Sequence, residues 1–150
     1  MDSRDLTKLA EIQTIAPAVL TGNGTDTEGA GVDGKNASAV RHSLSVGESG
    51  DTWSGSLYTD VILQDSADNT IFAAVDDSSE YIGTMETVAS GIVKVLDAEA
   101  DDNAIYDIIY IGTKRYSRLF LARTGNHATG TPMAAHATVI PRMSGNLSPS

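Results

Sequence analysis

Three histidines, a cluster of carboxylates, a group of basic residues around one turn, two glycine-rich runs and a single tryptophan are the places where this chain could do chemistry. A helical metal site of the H-E-x-x-H kind needs two His four residues apart, and His42, His127 and His136 are not so spaced. His42 falls on the apolar side of an alternating segment and reads as a satisfied core or interface histidine. His127 lies in a Gly/Thr-rich stretch and reads as solvated. A serine nucleophile of the hydrolase type sits in G-x-S-x-G, which the chain lacks. Asp97, Glu99, Asp101 and Asp102 offer the hard oxygen ligands that calcium takes. Their spacing opens like a calcium loop, but Gly is missing from the sixth place and Glu from the twelfth, so the run reads as a solvated hairpin turn. Asp76 and Asp77 read likewise, since paired carboxylates do glycosidase work only across a cleft. Gly22-Asn23-Gly24 and Gly29-Ala30-Gly31 open no helix and precede no Gly-Lys-Ser/Thr, so they read as arm or loop rather than as a phosphate cradle. The expectation is a protein with no catalytic residue, no metal ligand and no cofactor.

What remains is contact chemistry. Lys114, Arg115, Arg118 and Arg123 surround one hairpin, with Tyr116 and Arg118 on one face of a strand and Arg123 on the other. They lack the interleaved aromatic platform of a nucleic-acid reader, and pairing with an acidic protein surface fits them better. Trp53 stands in a Gly/Ser turn; tryptophan is enriched at interfaces, so it reads as the anchor of a loop or subunit contact, with stacking on a sugar as the alternative.

The elements that must position these residues are short strands. Val40, His42, Leu44 and Val46 alternate with Arg41, Ser43 and Ser45 over residues 38–46, the period of a half-buried strand. Residues 56–64 repeat the pattern, with Leu57, Thr59, Val61 and Leu63 against Tyr58, Asp60 and Ile62. A turn cluster at 65–69 and a short strand at 70–75 make a hairpin of it. Residues 91–97 read as a strand and 76–90 as mixed, with room for a turn of helix. Residues 104–111 are apolar on both faces and read as a central strand. Residues 116–123 and 133–141 give two more, separated by a loop at 124–132. Residues 1–11 could form one marginal helical turn capped by Asp5. Residues 12–21 are apolar and interrupted by Pro17, hence an edge strand or an extended arm, and the Gly-rich residues 22–36 read as a long loop or hinge.

The division expected is therefore an N-terminal arm and Gly-rich loop over 1–36, a body over 37–141 and a flexible tail over 142–150. Eight or so strands with no crossover helices predict an all-β fold, a single antiparallel β-sandwich or jelly-roll-like barrel with an extended N-terminal arm. The 150 residues favour one domain, and the absence of Cys removes disulfides and thiol chemistry. No run is long and apolar enough to span a bilayer, and the first residues lack a signal-peptide core. Of the charged residues, 19 of 20 acids but only five of ten bases lie in 1–103. That region has a net charge of −14 and residues 104–150 one of +4, within a total of −10. The balance argues against generic binding to nucleic acid, and the two halves could meet edge to edge or seat on a partner.

Several short motifs occur in a telling order. Arg4–Leu6 is followed by Ile-Ala-Pro-Ala-Val-Leu-Thr at 15–21, then Gly31–Gly34 and Ser38–Val40, then a Val-Gly-Glu-Ser-Gly-Asp turn at 46–51. Tyr110-Ile111-Gly112 leads into Arg115-Tyr116-Ser117-Arg118, and an Ala-Thr-Gly-Thr-Pro stretch precedes the last strand. This order, over most of residues 4–141, resembles small virion proteins of tailed bacteriophages that are often encoded beside the major capsid protein. The resemblance implies a non-enzymatic decoration or cement (minor capsid) protein. Such a protein is assembled in the bacterial host cytoplasm and seated on the capsid exterior. Its partners would be the major capsid protein and copies of itself, as a homotrimer or homodimer, with no nucleic acid and no membrane. The expected contact residues are Ile12, Ile15, Pro17, Val19 and Leu20 on the arm, then Trp53, Arg115, Arg118 and Arg123. On this reading, removing residues 1–21 leaves a folded body that no longer attaches to shells. A head–tail connector or tail component is the nearest alternative, and a carbohydrate-binding β-sandwich module the alternative of a different class.

Overall fold

The computed structural model describes residues 10–142; the expected helical turn at the N-terminus, up to residue 9, and the tail from 143 lie outside them. Eleven strands follow in order: β1 (Ala10–Asn23), β2 (Thr27–Glu28), β3 (Val32–Asp33), β4 (Ala37–Val46), β5 (Tyr58–Ser66), β6 (Ala73–Ala74), β7 (Tyr81–Ile82), β8 (Ile92–Leu96), β9 (Ala104–Tyr110), β10 (Tyr116–Thr124) and β11 (Asn126–Pro141). They form two antiparallel sheets packed face to face, a β-sandwich. One sheet has the order β1-β11-β4-β9-β7. The other centres on β10 and β5, with β2 and β3 beside β10, and β6 and β8 beside β5. With β2 and β3 taken as one interrupted strand, and β6 and β7 as short additions, the principal strands number eight. Their order is 1-8-3-6 against 2-7-4-5, the interleaved pattern of a jelly roll.

The alternation seen in the sequence is the alternation of burial. Val40, His42, Leu44 and Val46 of β4 point inward, as do Thr59, Val61 and Leu63 of β5 and Leu119 and Leu121 of β10. Leu44, Val46, Val61, Leu63, Leu119 and Leu121 meet Ile15, Trp53, Leu96, Ile108, Met133 and Ala135 in one core between the sheets. A smaller cluster of Val32, Val40 and Ala137 closes one end.

Three expectations change and a fourth is decided between its two alternatives. Residues 124–132 are not a loop: the chain reverses at Gly125 and β11 begins at Asn126. Gly125 has φ +88°, and a Cβ there would stand 2.3 Å from the Ser56 carbonyl oxygen, so only glycine fits so tight a reversal. Residues 104–111 are a central strand only in part. β9 pairs with β4 along its length, but β7 covers only Ile109 and Tyr110 on the other side, and Ile105 is 67% exposed. Residues 22–36 are not a free hinge. β2 and β3 pair with β10, and Gly29 and Ala30 donate to the carbonyls of Leu119 and Thr14, tying one sheet to the other. Residues 12–21 take the edge-strand alternative. β1 pairs with β11 from Ala10 to Asn23, with a break between Ile15 and Ala18 around Pro17, which has no N–H to give to a ladder.

The body therefore includes residues 10–36, and the boundary expected at 36/37 has no structural counterpart. Ile15 is buried in the core, and β1 covers one flank of β11. Removing residues 1–21 is thus expected to abolish cooperative unfolding, because a domain whose net stability is about 5–15 kcal/mol cannot lose a core strand and keep its fold. Circular dichroism and a urea titration of the truncated chain check this; a cooperative transition near the wild-type midpoint would restore the free-arm reading.

Candidate functional site

The arginine group is the first place where the fold overrides the sequence pattern. Alternation along β10 points Tyr116, Arg118 and Phe120 outward and Ser117, Leu119, Leu121 and Arg123 inward. Arg115 precedes the strand and grips Asp33 of β3 with two parallel hydrogen bonds, 2.9 Å from Nε and 2.7 Å from Nη2. That grip holds the Asp33 carboxyl down to about 2. Lys114 reaches Asp65 at 3.1 Å. Arg118 donates to Gln64 at 2.8 Å, approaches Glu28 at 3.5 Å and lies over the Phe72 ring at 3.9 Å. Arg123 is buried, and its guanidinium donates to the backbone carbonyls of Thr25 and Thr21 at 2.5 and 2.7 Å. Lys114, Arg115 and Arg118 meet acids of their own chain's N-terminal half, so the basic charge of this group is largely spent inside one molecule while the net charge of −10 remains.

Trp53 is likewise internal. It is 8% exposed, its ring N–H donates to Asp102 at 2.7 Å, and its indole stands edge-on to His127. It anchors a loop from inside the fold, so it offers neither the partner contact expected of it nor a stacking face to a sugar. His127 is buried rather than solvated, because β11 starts before it and turns it beneath Trp53; its Nε2 lies 3.1 Å from the Thr124 carbonyl.

The acidic turn holds itself together. Asp101 accepts from the backbone N–H groups of Asp97 and Ala98, each at 3.1 Å, and pairs with Lys94 at 3.0 Å. Asp102 accepts from Ser49 N–H as well as from Trp53. Among the described residues, no group of three or more His, Asp or Glu is arranged to hold a metal ion.

Serine meets histidine in one place, and serine, acid and histidine are neighbours in another, and neither makes a relay. His42 Nε2 lies 2.8 Å from Ser117 Oγ deep between the sheets, but His42 Nδ1 has no partner. Burial pushes that imidazole down to about 4, so it is neutral at pH 7. On the outward face of the first sheet, Ser43, Asp107 and His136 sit on adjacent strands. There Ser43 donates directly to Asp107, which also pairs with Arg41, while His136 faces Glu11 at 3.9 Å. A base catalyst must stand between nucleophile and acid, and here the acid itself accepts the serine hydrogen bond.

The edge residues divide by burial. Ile12 and Val19 are 38% and 56% exposed, and Pro17 is exposed. Ile15 belongs to the core and Leu20 packs against it. Among the described residues no strand pairs with the outer side of β1, yet that side is stapled at two points, by Ala30 N–H on the Thr14 carbonyl and by Arg123 on the Thr21 carbonyl.

Two features escaped the sequence reading. One is the buried set in which Tyr110 donates to Asp65 at 2.8 Å while Lys114 holds the other carboxylate oxygen. Burial, and then the Asp65 hydrogen bond, raise the Tyr110 phenol well above its ordinary value. The other is an apolar row on the outward face of the second sheet, where Phe120 of β10 stands opposite Ile62 of β5 and Ile62 opposite Ile92 of β8. Its signal was present in the alternation, which already set Ile62 opposite the core residues and Phe120 in step with Arg118.

Compared with known protein families and with curated proteins, the chain matches no family model and no curated sequence.

Proposed function

We propose that this chain is a structural protein of a tailed-phage virion, one that binds the outside of the capsid shell and stabilises it. The observation that carries the reading is how the chemically capable residues are used. The buried His42–Ser117 pair, the Asp65–Tyr110–Lys114 set, the Arg123 staple and the Trp53–Asp102 anchor all hydrogen-bond within the fold and brace the two sheets or their loops. A sandwich braced in this way is a rigid body whose faces and edges are what it has to offer a partner. The net charge of −10 suits an outer surface that need not hold genome. The order of short motifs along the chain, which resembles that of small virion proteins, points the same way.

The test is the copy number of this chain relative to the major capsid protein in purified virions of its source phage. Hundreds of copies, near parity with the capsid subunit, are expected. A few to a few tens would move the protein to the connector, a vertex or the tail. Complete absence would overturn the reading and reopen the binding-module and enzyme alternatives, for the first of which a glycan array is the direct assay.

A further inference from the structure

The two outward faces of the sandwich differ in kind. The face formed by β11, β4 and β9 carries Arg41, Ser43, Asp107, His136 and Thr138 across its middle, polar groups joined by their own hydrogen bonds, and apolar groups toward its β7 edge, where Ile109 stands opposite Ile82 and Ile105 and Ile82 are exposed. An antiparallel sheet with one face in water is expected to look like this, polar outside and apolar inside. The opposite face breaks that pattern. Phe120, Ile62 and Ile92 form a row across three neighbouring strands, and each is half-buried. Val95 and Ala122 flank Asp60 in the next row, and the Phe72 ring, stacked with Arg118, borders the other side. A contiguous apolar strip on a monomer's surface marks an interaction site more often than chance.

The charge around the strip says what it fits. At one end the Asp60 carboxyl is pushed up, first by desolvation and then by the nearby carboxylates of Glu86 and Asp97. Glu28, 68% exposed, stands beside Phe120 at the other end. The two cations of the patch are already held, Arg118 by Gln64, Glu28 and Phe72, and Lys94 by Asp101 and Glu86. A second copy would bring the same carboxylates and another −10 of charge against this rim. A partner carrying Lys or Arg would instead neutralise a rim whose members repel one another.

We infer that the outward face of β10, β5 and β8 is the docking face of this protein, and that its occupant is a different protein whose surface is apolar at the centre and basic at the margin. The inference rests on the virion reading, under which that occupant is the exterior of the capsid shell. The polar face of the other sheet then points to solvent.

The experiment uses the full-length chain and shells of the source phage stripped of this protein, with binding read by co-sedimentation over a salt series. Two double variants probe the face: Ile62→Thr with Phe120→Ser removes the strip, and Asp60→Lys with Glu86→Lys reverses the rim. Ile105→Ser, on the opposite sheet, is the control, and circular dichroism with thermal unfolding establishes that each variant is folded. Both doubles are expected to bind roughly tenfold or more weakly, as the loss of a central aromatic anchor or of complementary charge does. The rim variant should also lose most of the wild-type salt dependence, and Ile105→Ser should bind normally. Folded doubles that bind like wild type would overturn the face while leaving the virion reading intact. No binding by the wild-type chain, together with its absence from virions, would overturn that reading and the occupant with it. A wild-type dimer in sedimentation velocity that Ile62→Thr/Phe120→Ser dissociates would overturn the occupant in favour of a second copy.

Discussion

Lowering the pH from 7 to 4.5 is expected to cost this fold roughly 2–3 kcal/mol through one buried side chain, His42. The imidazole is fully enclosed, with a single hydrogen bond to Ser117 and an unpartnered Nδ1. Burial holds its pKa at about 4, against 6.5 for a free imidazole. The unfolded chain therefore takes up a proton below about pH 6.5 that the folded chain refuses until about pH 4. Stability is complete above the upper value, falls through the interval and stops falling below the lower one.

Carboxylates with lowered pKa values, Asp33, Asp51 and Asp107 among them, add a separate loss that comes mainly below pH 4. Asp60 and Glu80, raised by burial and by neighbouring acids, work in the opposite sense and are relieved on acidification. Urea titrations at half-unit pH steps, followed by the fluorescence of the chain's one tryptophan, resolve these intervals. The double variant His42→Leu with Ser117→Ala removes the buried pair together and is expected to flatten the profile between pH 6.5 and 4. A wild-type profile already flat over that range would show that the imidazole is hydrated or otherwise protonated in the folded state.

Arg123→Ala is expected to destabilise the protein by about 3 kcal/mol, an effect of the size found when one member of a buried polar set is removed. The guanidinium closes the end of the sandwich where β1 leaves one sheet and β2 joins the other. It binds the carbonyls of Thr21 and Thr25, while the Arg123 backbone N–H donates to Asp26 at 3.1 Å. Without it those carbonyls face a cavity instead of a donor. Arg123→Lys keeps a charge but cannot bridge two carbonyls with a planar fork, so an intermediate loss of about 1–2 kcal/mol is expected. Hydrogen exchange adds a local signature: the amide of Gly24, bonded to the Gly125 carbonyl at 2.9 Å, should lose protection beyond the global change. An Arg123→Ala variant within about 1 kcal/mol of wild type would show that the staple is dispensable and that the carbonyls find other partners. The same position was expected from sequence to contact a partner, so wild-type shell binding by a folded Arg123→Lys variant would confirm its internal role.

Both residues show how far a one-dimensional pattern reaches. The period of two in residues 38–46 and 116–123 determined that His42 points to the core and that Arg123 lies on the opposite face from Arg118. It determined the fold class too, because short alternating segments separated by turn residues, without long amphipathic helices, leave packed antiparallel sheets as the way to bury their apolar sides. The reading of residues 12–21 as an edge strand interrupted at Pro17 followed from proline's missing N–H, a property of the residue alone.

The tertiary structure decided who stands opposite whom. Strand pairing joins residues distant along the chain, and nothing local specifies that β11 lies between β1 and β4 or that β10 receives the strap of β2 and β3. Those pairings turned the apparent basic contact group into internal clamps on Asp33, Asp65, Glu28 and the Thr21 and Thr25 carbonyls. They also buried His127 beneath Trp53 and aligned Phe120, Ile62 and Ile92 into one row. Side-chain direction is set by each strand's own backbone, whereas partnership is set by register between strands, so direction was written in the sequence and partnership appeared only when the sheets closed.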